Sequence, residues 1–263
     1  MRVAALPVVA VGLTVWAATP RPTDTETAGD VERARAVAAD YVKHIPDFVC
    51  TQTIHRYMRL TLPKKWLPLD TLSVKLRYSG QNEERQLIQH DGQPSGSTEE
   101  EAGGLRNVGE FGGMLETLFA PESQAEFHWE SFKMFAGRQV AVFSYRVSRA
   151  RSTYSLTFDP GGYAHVMIVG YHGMVDVDRE TGGVLRLVYE ADTIAPEFPM
   201  QFASTTVEYG YVEVAGKRYL LPVRSEIETD ADGLRSRNIS EFTRYRKFST
   251  DSFIQFGDTV GNQ

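Results

Sequence analysis

The sequence predicts a mainly β (α+β) protein built on one long antiparallel meander, and three observations carry that reading. Short segments alternate apolar and polar residues, as where Leu72, Val74, Leu76 and Tyr78 are interleaved with Ser73, Lys75, Arg77 and Ser79. Tight-turn sequences separate such segments: Gly80-Gln81-Asn82, Asp91-Gly92, Ala136-Gly137-Arg138, Ala215-Gly216-Lys217 and Asp230-Ala231-Asp232-Gly233. Helical spacing occurs in two or three stretches at most, too few to supply the crossovers of a parallel sheet. About ten strands follow, and an antiparallel sheet of that width must curl or close.

The chain opens with Arg2 ahead of an apolar run from Val3 to Ala18, and Val15-Trp16-Ala17 offers a cleavage point, so residues 1–17 read as a signal peptide. The run is short for a membrane span and is broken by Pro7 and Gly12. Cleavage therefore yields a periplasmic or extracellular product with no transmembrane span. Residues 18–29, with Pro20 and Pro22, read as a flexible linker, 30–256 as a single domain and 257–263 as a flexible tail.

From Asp30 as N-cap, Val31, Ala34, Ala38, Tyr41, Val42 and Ile45 recur at helical spacing until Pro46. Strands follow over Phe48–Leu60, Leu72–Ser79 and Glu84–His90, and Pro94–Gly104, with its Glu99–Glu101 triplet, reads as a surface loop. Asn107 and Glu110 have capping-box spacing ahead of a short helix with the stripe Phe111, Met114, Leu115, Leu118 and Phe119. Gly109, Gly112 and Gly113 weaken that helix, so Phe111, Met114, Leu115 and Leu118 belong either to a core helix or to a lid.

The meander resumes at Phe127 and Trp129 and reaches its centre at Tyr163–Asp192, a run of strands turning through Arg179-Glu180-Thr181-Gly182-Gly183. There Leu185, Leu187, Tyr189 and Ala191 share one face, with Arg186 and Glu190 on the other. Three long strands, Phe202–Val214, Arg218–Thr229 and Leu234–Phe248, complete the chain.

A net charge of -6 argues against nucleic acid as a partner. Arg235, Arg237, Arg244, Arg246 and Lys247 read as solvated or edge-protecting charge. Cys50, the single cysteine, reads as a small core residue. The six histidines have no metal-ligand spacing, and Asp176, Asp178 and Glu180 read as solvated acids of a hairpin tip. No catalytic residue, metal ligand or cofactor motif is assigned.

With its leading helix, long meander, inserted helix and central Gly173-x-Val175-x-Val177-Asp178-x-x-Thr181-Gly182-x-Val184-x-Arg186-Leu187, the chain resembles the periplasmic lipoprotein-sorting carriers of the LolA/LolB-like superfamily. The resemblance implies a strongly bent antiparallel sheet forming an incomplete barrel, an N-terminal helix and a short inserted helix packed on it, and a hydrophobic cavity that shields acyl chains. Beside it stands the abundance of aromatic and aliphatic residues at alternate strand positions: Phe143, Tyr145, Tyr154, Leu156, Phe158, Leu185, Leu187, Tyr189, Tyr209, Tyr211 and Tyr219. Collected on one concave face, these either fill a core or line a ligand-binding cavity. The function expected is non-catalytic binding of a lipid-like or other apolar group, with an acyl chain or lipoprotein as partner. The alternative is a protein-interaction or envelope-sensor module with a filled core, meeting an envelope protein.

Overall fold

Thr23 begins the regular structure. Its side-chain oxygen accepts a hydrogen bond from the Glu26 N–H at 3.3 Å, while the Glu26 carboxylate accepts from the Thr23 N–H at 3.0 Å, closing a capping box. Helix α1 therefore runs over Asp24–His44 and starts six residues before Asp30, inside the segment read as linker. Asp30 is not its cap. It is buried in the helix and pairs with Arg33 and Arg179. The computed structural model describes residues 22–59, 65–98, 102–103, 105, 110–159 and 162–248. Residues 1–17, read as a signal peptide, Leu60, the Glu99–Glu101 triplet, Asn107, the Val42 side chain and residues 257–263, read as a tail, lie outside the described residues.

The strands are β1 (Phe48–Arg59), β2 (Leu67–Ser79), β3 (Asn82–His90), β4 (Gln93–Pro94), β5 (Glu126–Phe135), β6 (Arg138–Val147), β7 (Ser155–Phe158), β8 (His165–Ile168), β9 (Tyr171–Asp178), β10 (Val184–Ala191), β11 (Met200–Val214), β12 (Lys217–Ala231) and β13 (Leu234–Lys247). Helix α2 (Gly113–Phe119) is inserted between β4 and β5. Eleven of these strands form one antiparallel sheet in the order β4-β3-β2-β1-β13-β12-β11-β10-β9-β6-β5. It is bent but open, since β4 and β5 end it without pairing to each other. Register shifts at Val49/Thr51, Arg56/Tyr57 and Glu208/Tyr209 mark bulges, which sharpen the local twist and help such a wide sheet to bend. Strands β7 and β8 form a separate two-stranded hairpin.

The core fills the space between one sheet face and the two helices. Ala34 and Ala38, both buried, keep the middle of α1's inner stripe small between Val31 and Tyr41 and so let its backbone approach the sheet there. Phe143, Tyr145, Val175, Val177, Leu187, Val207 and Tyr209 meet it from β6, β9, β10 and β11 together with Leu115, Leu118 and Phe119 of α2. A second cluster at the end of β1, β2 and β13 is largely aromatic, with Phe48 stacked on Tyr78 at 5.4 Å and Phe111 tilted against both. Cys50 is buried there, as its reading as a core residue expects.

One register shift changes the face of a residue. Val184 pairs with Val177 and Arg186 with Asp176, so Leu185 is the extra residue of a bulge. Leu185 thus packs with Val140 and Val142 on the opposite side of the sheet, away from Leu187 and Tyr189. Among the described residues no helix is long and apolar enough to cross a membrane.

Candidate functional site

Small side chains lie side by side across three neighbouring strands. Ala203 of β11 pairs with Thr229 of β12, and Thr229 pairs with Ser236 of β13. In the next rows toward each strand's end, Thr205 faces Ile227 and Met200 faces Ala231. A sheet surface with so little bulk cannot fill the space above it, and a cavity of about 1080 Å³ lies there. Its far wall is Tyr154 and β7 with Leu156 and Phe158, and its roof is Gly113, Met114 and Thr117 of α2. Tyr189 closes the inner end, and Leu234 stands at the outer end.

The lining is apolar, with hydroxyls of Thr117, Thr205, Thr229 and Ser236 spaced around it. Its charged residues among those described are Asp159 and Asp232, both exposed at the rim. Burial pushes the Tyr154 phenol up, with the Tyr189 phenol adding to the effect, so the wall stays neutral at ordinary pH.

Of the eleven residues expected to line a cavity, Tyr154, Leu156, Phe158 and Tyr189 do so. Phe143, Tyr145, Leu187 and Tyr209 instead fill the core beneath the helices, and Leu185 lies on the other face of the sheet. Tyr211 is also turned to that other face, between the guanidinium groups of Arg138 and Arg218, and its hydroxyl donates to Thr181 Oγ1 at 2.8 Å. Tyr219 borders a shallow groove of about 430 Å³ beside Tyr41 and His44 of α1. The eight aromatic residues therefore divide: Phe143, Tyr145 and Tyr209 are core, Tyr154, Phe158 and Tyr189 are wall, and Tyr211 and Tyr219 lie elsewhere.

Of the four residues proposed as a lid, Met114 faces the cavity. Leu115 and Leu118 are core, and Phe111 precedes the helix in the aromatic cluster. The helix starts after Gly112 with no side-chain cap, and Glu110 is buried, its Oε1 accepting from the Ser225 hydroxyl at 2.8 Å. The Arg35 guanidinium donates to the Phe119 carbonyl at 2.7 Å, and the Tyr209 hydroxyl donates to the Glu110 carbonyl at 3.1 Å. Helix α2 is thus hydrogen-bonded at both of its flanks, to α1 through Arg35 and to β11 and β12 through Tyr209 and Ser225.

Of the three acids of the central hairpin read as solvated, Glu180 is exposed, whereas Asp176 and Asp178 are not. Asp176 and Asp178 are 0% and 1% exposed. Lys133 reaches Asp176 at 2.8 Å, and Arg138 pairs with Asp178. Asp178 also accepts from the Glu180 N–H at 2.9 Å and the Thr181 hydroxyl at 3.0 Å. Burial alone would push the Asp178 carboxyl up, but Arg138 and these two donors outweigh it and hold it below the usual value. These acids pin the hairpin to β5 and β6. Arg235 and Arg237 of β13 are matched across the sheet, Arg235 to Glu228 at 3.1 Å and Arg237 to Glu226 and Glu228 at 3.2 and 2.9 Å. Burial pushes the Cys50 thiol up to about 12, despite the lowering influence of Arg85 and Tyr245.

No family model and no curated protein matches the sequence. Among solved structures, the chain is similar to a LolA superfamily protein from Nitrosomonas europaea, at 10% identity and a TM-score of 0.37, over 84% of this chain and 93% of that one. It is similar also to a DUF1329 family protein from Desulfovibrio piger, at 11% identity and a TM-score of 0.36, over 87% and 95% of the two chains. A domain named for outer membrane lipoprotein sorting, from Vibrio parahaemolyticus, aligns at 10% identity and a TM-score of 0.34, over 86% and 95%.

Proposed function

We propose that the protein is an exported, non-catalytic binding protein that holds a lipid-like or other apolar group in the cavity between α2, β7 and strands β11 to β13. The observation that carries this reading is the row Ala203, Thr229 and Ser236, which leaves about 1080 Å³ open against apolar walls in a fold that fills its other interior with tyrosine and phenylalanine. That volume is at the upper end of the roughly 300–1,000 Å³ of small-molecule sites. An acyl chain suits it: each buried methylene contributes about 0.8 kcal/mol, so roughly ten of them outweigh the cost of immobilising the ligand. Asp159 and Asp232 at the rim leave a polar or cationic head group in water. Export rests on the leader sequence at residues 1–17.

A protein-interaction role for the arginine-bearing last strands is less well supported, because Arg235 and Arg237 are already matched by Glu226 and Glu228. The binding reading is tested by titrating the purified protein with a fluorescent fatty acid and repeating the titration with Ala203→Phe. The phenyl ring fills the space over Thr229, so affinity should fall at least about tenfold while the thermal midpoint stays within a few degrees. Equal affinity in both proteins would place the fatty acid elsewhere.

A further inference from the structure

We infer that the β7–β8 hairpin is the surface by which this protein docks on an anionic lipid bilayer. Tyr163, Val166 and Ile168 are 84%, 62% and 47% exposed, and they are three of the eight large apolar residues exposed among the described residues. Scattered exposed apolar residues are ordinary, but three within six positions on one hairpin form a patch. The alternation of β8 explains its direction. Met167 pairs with Leu156 and packs inward near Phe198 and Met200, so Val166 and Ile168 point away from the molecule.

Charge selects the partner. Val147 pairs with Tyr171, which sets the turn Arg149–Arg151 beside the foot of β8. Arg149 and Arg151 are exposed and form no ion pair with any described residue. From Ser148 to Val169 the one acidic residue is Asp159, whose carboxylate accepts from the Gly162 N–H, in a chain whose net charge is -6. An apolar outer strand with cations at its foot matches an anionic bilayer, where the side chains enter the acyl boundary and the guanidinium groups meet lipid phosphates. The hairpin is not part of the main sheet, and β7 is a wall of the cavity, so a bilayer on β8 lies one strand away from the space described above. The preference for a bilayer over a protein rests on reading that space as an acyl site; the exposed patch and its charge do not.

The experiment is co-sedimentation of the purified protein with vesicles of phosphatidylcholine alone and of phosphatidylcholine mixed with phosphatidylglycerol. Binding is expected to the mixed vesicles and to weaken with added salt. The double variant Val166→Asp/Ile168→Asp should lose at least about tenfold in partitioning, and Arg149→Gln/Arg151→Gln should lose about fivefold per arginine on the mixed vesicles alone. All four side chains lie on the outside, and thermal melting of each variant confirms that it folds. Absence of binding to either vesicle, or binding that neither double variant weakens, would overturn the inference. So would a protein that dimerises in sedimentation velocity through Val166 and Ile168, which would assign the patch to a second copy of the chain. Vesicle binding by a protein that takes up no fatty acid would instead remove the cavity reading and leave this surface standing.

Discussion

Tyr154 and Tyr189 meet edge-on, with ring centroids 5.4 Å apart and planes at 87°, and their contact is the boundary between solid core and open cavity. Behind them the tyrosine contacts continue: Tyr154 meets Tyr171 at 5.8 Å, and Tyr171 meets Tyr145 at 6.1 Å. Removing Tyr154 breaches this wall. Tyr154→Ala should destabilise the fold by about 2–4 kcal/mol in urea unfolding, because the ring leaves a hole that the fixed strands cannot close. Tyr154→Phe keeps the edge-on ring and should stay within about 1 kcal/mol of the parent.

Gly173 is required where it stands. It pairs with Tyr145 on one side and Tyr189 on the other, and the Tyr145 hydroxyl reaches past it to donate to the Val188 carbonyl at 2.7 Å. A Cβ at this position would collide with that same Val188 carbonyl. Gly173→Ala should therefore cost more than about 3 kcal/mol, far above the effect of a side chain added in open space, and the loss of folded protein would appear in thermal melting.

Asp178 ties acid stability to the hairpin. Its carboxyl is held below the ordinary 3.8, so the stabilisation is present above that pH and is lost as pH falls through the lower folded value. Asp178→Asn should lower stability at neutral pH by about 2–3 kcal/mol, since it weakens the hydrogen bonds to Arg138, Glu180 and Thr181 that carry charge. The difference between parent and variant should shrink below pH 3.8 in acid denaturation. A difference that persists unchanged at low pH would remove the charge from the explanation.

Cys50 should be inert in the native protein. With its thiol buried and pushed up to about 12, it presents almost no thiolate at pH 8, and alkylation should proceed at the rate of unfolding. Rapid labelling at low denaturant would show an opening of the aromatic cluster around Phe48.

Much of this was legible in the residues, and the exceptions have physical reasons. Alternation located most strands because one face of each of the longer central strands, such as β1, β2 and β11, is buried, and Gly182, at φ 75°, makes the hairpin turn its sequence calls for. Leu185 defeated the alternation because a bulge has no signature in a two-residue period. The start of α1 was missed because Thr23-Asp24-Thr25-Glu26 has capping-box spacing but sits among prolines and threonines that resemble a linker. The buried pairing of Asp176 and Asp178 depends on Lys133 and Arg138, which lie about forty residues away and are brought close by the pairing of β6 with β9.

The cavity itself was anticipated from large residues, whereas its cause is the small ones. Ala203, Thr229 and Ser236 carry no alarm in a sequence, and their significance appears only when register sets them in one row. A run of small inward residues on neighbouring long strands is the signal that sequence reading could have used. It needs the strand pairing to be known first.

The account rests on that unfilled space being occupied by hydrocarbon in the native protein. The most direct test is mass spectrometry of an organic extract of the protein purified from its native host, compared with an extract of Ala203→Phe prepared in the same way. Acyl-bearing lipid in near-stoichiometric amount in the parent, and much reduced in the variant, is the outcome the account requires. A parent protein that yields no lipid, or a variant that yields as much, would contradict it.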